Sequence, residues 1–209
     1  MIFRILIIFL VATLSVTTMS NATAKLPVEG SLLRVQTFLE QGQYFLAIEE
    51  VNTVLQSKPS SIQESRAYGM KGSLLLLMQH HSEAGQFLIK AFKSSDNEQM
   101  KAGYASSLGV LYHETGDQAQ SKEYFQSALA LAGDNPSLLL KIKLNQVRCH
   151  PETANLLLFN DLLTDISALD NATDRTRYYL NLSETVKSYG PEAIKLAQSA
   201  LENASTDVF

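Results

Sequence analysis

The sequence predicts an all-α chain, a right-handed α-solenoid of about five antiparallel helix pairs. The segment "GYASSLGVLYHETGDQAQSKEYFQSALAL", residues 103–131, reads as two short amphipathic helices joined at Gly116-Asp117. Its landmarks then recur. Gly109, Ser121 and Ala128 stand 37 residues after Gly72, Ala84 and Ala91, which stand 37 after Val35, Ala47 and Val54. The larger residues keep the same interval: Tyr112 with Leu75 and Phe38, Phe125 with Leu88 and Val51, Leu129 with Phe92 and Leu55. The turn does too, Gly116 falling on Gln79 and Gly42. A lone hairpin would not reproduce these landmarks twice without a gap, so the segment is one unit of an array.

Taken in order, the chain opens with "MIFRILIIFLVATLSVTTMSNATAK". One early cation, Arg4, precedes an apolar run from Ile5 to Val16 and a small polar stretch ending in Ala22-Thr23-Ala24, the pattern of a cleaved leader. The run is shorter than the roughly 20 apolar residues of a spanning helix. Residues 1–24 are therefore expected to be a signal peptide, and residues 25–209 a helical repeat domain that is exported to the periplasm or outside the cell, with no stable membrane insertion after cleavage. The repeat units fall at about 28–61, 65–98, 102–135, 136–170 and 172–205. The first three carry the landmarks. In the fourth, "SLLLKIKLNQVRCH" and "ETANLLLFNDLLTDISAL" make a helix pair split by Pro151. In the fifth, "RTRYYLNLSETVKSYG" leads into a second helix with Pro191 at its start, where Ala193 to Ala200 repeats the spacing of Ser121 to Ala128.

Each landmark has a physical role. Gly109 and Ser121 fall where the two helices of a pair cross, and small side chains there let the backbones approach. Tyr112, Phe125 and Leu129 lie at helical spacing on the apolar faces and fill the space between helices. Gly116 ends the first helix in the left-handed conformation common at C-termini. Pro59 and Pro136 punctuate the ends of second helices.

Leu108, Gly109, Tyr112, Gly116, Ser121, Phe125 and Ala128 together resemble the consensus of the tetratricopeptide repeat (TPR), whose ordinary period is about 34 residues. The extra residues here belong to the connections between units or to extended helix ends. The resemblance implies a non-enzymatic scaffold whose first helices line a concave groove for a protein or peptide partner. Projected by register, that groove displays Gln36, Glu40, Arg66, Ser73, Leu77, Ser106, Val110, His113, Glu114, Gln146 and His150. The family's clamp for an acidic peptide C-terminus requires lysines and asparagines at stacked groove positions. Leu32, Gly69 and Ser106 stand at the first of these, which disfavours a clamp. Exported bacterial arrays of this kind can precede a caspase-like protease domain. A regulatory or targeting portion of a larger exported enzyme is thus one alternative reading, and a structural envelope component that self-associates through uncapped ends is another.

Composition narrows the field further. Loss of Arg4 with the leader takes the formal net charge from −4 to −5, which argues against nucleic acid or an anionic membrane surface as ligand. Cys149 is the single cysteine, so no internal disulfide can form and an apolar core must hold the fold. Asn-x-Ser/Thr triplets at Asn21, Asn171, Asn181 and Asn203 are read as chance in an Asn- and Ser-rich chain. No phosphate loop, H-E-x-x-H or G-x-S-x-G motif is present, and "YGMKG" lacks phosphate-loop spacing. His113, Cys149 and His150 fall near equivalent helix ends, but adjacent Cys149 and His150 point about 100° apart on a helix, so solvated or partner-facing side chains are expected rather than a metal site. His80-His81 is expected to be a polar loop. No catalytic residue, metal or cofactor is expected.

The leader reading makes one sharp prediction. The exported chain should begin at Lys25, and N-terminal sequencing of the protein recovered from its own cell envelope or medium checks it; a chain beginning at Met1 overturns it.

Overall fold

The structure, a computed structural model, describes residues 28–150, 156–169 and 172–185. Among these there are nine helices and no strand: α1 Val28–Glu40, α2 Tyr44–Gln56, α3 Ser61–Leu77, α4 His81–Ser94, α5 Glu98–Glu114, α6 Gln118–Leu131, α7 Pro136–Cys149, α8 Leu156–Ser167 and α9 Ala172–Thr185. The expected leader, the break at Pro151 and the second helix of the fifth unit lie outside the described residues.

The helix starts follow from local chemistry. Ser60 caps α3 with a capping box: its hydroxyl accepts from the Gln63 N–H at 3.4 Å while its own N–H donates to Gln63 Oε1 at 3.0 Å. Asn97, Asp117 and Asn135 cap α5, α6 and α7 by accepting the N–H of Met100, Gln120 and Leu138. Pro136 occupies the first turn of α7, where its missing N–H costs nothing.

The helix ends repeat as strictly as the landmarks. At the end of α5 the Gly116 N–H reaches the His113 carbonyl and the Asp117 N–H the Tyr112 carbonyl, the paired bonds of a Schellman turn. The same two bonds close α1 through Gly42 and Gln43, and α3 through Gln79 and His80. The central residue is left-handed each time, with φ of 69° at Gly42, 62° at Gln79 and 90° at Gly116.

Consecutive helices pack as pairs, α1 with α2, α3 with α4 and α5 with α6, and each second helix also meets the next first helix. The protein is an all-α helical solenoid. The first helices α1, α3, α5, α7 and α9 touch one another in series, whereas α2, α4 and α6 do not pack on one another to that extent. An array drawn together along one side and splayed along the other is concave on its first-helix side.

The core is divided as the repeat requires. Leu32, Val35, Ala47, Val51 and Val54 of the first pair are sealed by Ala67 and Leu74 of α3. Leu75, Ala84 and Leu88 of the second are sealed by Leu108 and Leu111 of α5. Phe125 and Ala128 of the third lie with Ile142 and Cys149 of α7, while Phe159, Leu162 and Ile166 of α8 lie with Tyr179 and Leu182 of α9. None of the four pairs described in full completes its own core; each needs the next first helix, which is why stacking is obligatory.

The shared turn generates a paired prediction. A Cβ added at Gly116 would meet nothing within 4 Å, so Gly116→Ala carries only the left-handed backbone penalty, about 1 kcal/mol. Gln79→Gly relieves that penalty and should shift stability upward by less than that, because glycine also gains freedom in the unfolded chain. Urea midpoints moving in opposite directions for the two variants are the expected result; a loss of stability in Gln79→Gly would contradict it.

Candidate partner-binding groove

The groove is built from the columns that the 37-residue interval places on α1, α3 and α5: Glu29, Arg66 and Gly103; Gln36, Ser73 and Val110; Glu40, Leu77 and Glu114. The first column is already engaged. The Arg66 guanidinium donates to Glu29 Oε2 at 2.9 Å and Gln63 Nε2 to Glu29 Oε1 at 3.0 Å, linking α1 to α3. Those bonds, from Gln63 first and then Arg66, hold the Glu29 carboxyl below the ordinary carboxylate range. Arg66, expected to face a partner, is 39% exposed and linked to α1 through this pair. Opposite charges one interval apart were the readable signal for this pair, which the sequence reading missed.

The last column is open. Glu40 and Glu114 are exposed and Leu77 is 56% exposed, although Leu74 and Leu75 just before it are buried. Gln36 is also exposed and donates to Glu40 Oε1 at 3.2 Å; Ser73 is half-buried. His81 Nε2 lies 3.0 Å from Glu114 Oε2, joining the second unit to the third. The expected polar loop holds for His80, which is exposed in the connection before α4, while His81 begins the helix.

Ser106, Val110 and His150 correct the projection. Val110 is 7% exposed within the apolar cluster of α5, α6 and α7, and Ser106 is buried and accepts from Asn145 of α7 at 3.2 Å. Both fill the seam where α7 closes the third pair, so neither is presented to a ligand. Between α3 and α5 the seam is filled by Tyr104, whose ring lies where a side chain on Gly69 would collide with it. Its hydroxyl donates to the Ser65 carbonyl at 3.1 Å, and burial raises its pKa. Tyr104 stands outside the repeated landmarks, so periodicity gave no sign of it. Gln146 is half-buried on α7.

His150, expected at the surface, is 1% exposed. The Ser121 hydroxyl donates to the Gly109 carbonyl at 2.7 Å, so its oxygen is free to accept, and His150 Nε2 donates to it at 2.8 Å. Phe125 and His113 present their rings edge-on to the imidazole, with centroids at 5.9 and 5.5 Å. The interval does bring His113 and His150 together, but His113 Nδ1 engages Gln118 Oε1 at 3.2 Å. Cys149 is 4% exposed, and burial pushes its thiol up to about 11, far from a reactive thiolate. Among the described residues no set of three His, Cys, Asp or Glu side chains is placed to hold a metal ion.

Ser121 replaces the alanine of the other units, Ala47 and Ala84, and its hydroxyl is what admits an imidazole to the core. Ser121→Ala should cost about 1–3 kcal/mol by removing the acceptor from a buried donor. In a double-mutant cycle with His150→Phe, most of that cost should vanish; additive losses in urea unfolding would show the bond to be dispensable.

Comparison with known families agrees with the geometry at two of the pairs. No curated protein matches the chain. The family model for the tetratricopeptide repeat matches residues 65–98 and 103–135, so the α3–α4 and α5–α6 pairs are similar to tetratricopeptide repeats, and α3 and α5 each begin a turn ahead of the matched segment.

Proposed function

We propose that the chain is a non-enzymatic scaffold, exported from the cell, that captures a segment of a protein partner on the concave face of its first helices. Tetratricopeptide repeats generally mediate protein–protein interactions. The observation that carries the proposal is the open column Glu40, Leu77 and Glu114, where adjacent positions are taken up by contacts within the fold. Side chains held by packed helices lose little freedom on binding, which favours capture by shape.

A second reading, self-association through the first pair, draws on Phe45 and Leu46. They are 77% and 46% exposed where the next two units carry Ser82 and Glu83, then Ala119 and Gln120. A sheltered surface for these side chains would be a second copy.

Leu77→Glu tests the main reading without touching the core. Affinity capture from the source's own envelope fraction should recover a specific partner with the parent chain and lose it with the variant, helicity being unchanged. Retention by the variant would move the site off this face. A chain that recovers only itself, and whose mass in solution halves on Phe45→Ser with Leu46→Glu, would favour self-association instead.

A further inference from the structure

We propose that the occupant of this face is an amphipathic α-helix carrying an apolar side chain flanked on both sides by cations. The inference rests on the groove reading above and names the chemistry that reading leaves open.

The charge of the face is one-sided. Of the nine residues in its three columns, Arg66 is the only cation, and Glu29 takes its guanidinium at 2.9 Å. Glu40 and Glu114 remain. The partner of Glu40 is the neutral amide of Gln36, which leaves its charge in place, and Glu114 stays 40% exposed beside His81. Between them stands exposed Leu77. A ligand that covers this row without leaving a carboxylate against apolar or acidic surface must bring a cation to each end and an apolar group to the middle.

The geometry selects a helix. A solenoid of helices has spent its backbone hydrogen bonds internally and offers no strand edge, so an extended segment would have its own backbone satisfied only by side chains and water. A helix arrives with its backbone paired. Successive first helices pack about 8–10 Å apart, so α1 to α5 spans roughly 16–20 Å. About four helical turns rise nearly the same distance and return to the same face, so cations at the two ends and an apolar residue midway all meet the row.

The test uses the full chain and a fluorescent helical peptide of about four turns, with leucine at the centre of one face, lysine at both ends of that face and glutamine and alanine elsewhere. A second peptide carries glutamate in place of both lysines. At low salt the lysine peptide should bind about tenfold more tightly or better, with a margin that narrows as salt is raised. The Glu40→Lys, Glu114→Lys double variant should reverse the order. His81→Gln should preserve it, because the recognised charge is that of Glu114. Equal binding of the two peptides, or an order unchanged in the double variant, overturns the proposal. If neither peptide binds while Leu77→Glu still abolishes partner capture, the groove stands and this occupant falls. If Leu77→Glu leaves capture intact, the groove reading falls and takes this proposal with it.

Discussion

The close crossing of the two helices within each pair is the constraint on which the array depends. A Cβ on Gly72 would lie 2.7 Å from Leu88 Cγ and 3.0 Å from the Leu88 backbone nitrogen; on Gly109 it would lie 2.9 Å from the Phe125 ring. Opposite these glycines the second helix brings Ala84 and Ser121, both fully buried. With the helices this near, the next residues along each face must interlock, and Leu88 and Phe125 do so with no measurable exposure. Truncating a buried Leu or Phe costs about 2–5 kcal/mol, whereas an exposed ion pair such as Arg66 with Glu29 is worth less than about 1 kcal/mol. Packing therefore sets the geometry of each pair, and the charges follow it.

That constraint acts only along the seams, which leaves two kinds of position free to vary between units. At the seam itself a small change of chemistry is tolerated if its volume is kept. Ser121 adds one oxygen to the alanine of the first two units, and that oxygen orients His150 inside the third core. On the first-helix face, outside the seams, the fold imposes almost nothing. There one column has become an internal link, Glu29 with Arg66, and another has kept two carboxylates around an exposed leucine.

The two columns differ in physical consequence. Glu29 and Arg66 offset each other's charge at the surface, so together they present little net field. Carboxylates on α1 and α5, held apart by α3 between them, form a spaced pattern that the proposed partner would meet without reorganising the array. Interlocking pairs supply that rigidity, and for Leu77 on α3 and Glu114 on α5 it derives from the same glycines as the fold.

Much of this was legible in the residues alone. The 37-residue interval, the small residues at the crossings and the glycines of the turns identify an all-α array because each reports a local requirement: helical spacing, close approach or a left-handed φ. Even Gln79 declared its turn, by standing where glycine stands in the neighbouring units. That Glu40, Leu77 and Glu114 share one helix face was also legible, since register alone assigns a face. Burial against the next unit was not. Ser106, Val110 and His150 share the groove's register, yet α7 and the start of α6 cover them. Tyr104 fills the seam beside Gly69 from outside the repeated pattern. Periodicity says which way a side chain leaves its own helix; only the tertiary structure decides whether it then meets a neighbour or open solvent, because that depends on how deeply the adjoining units nest against it.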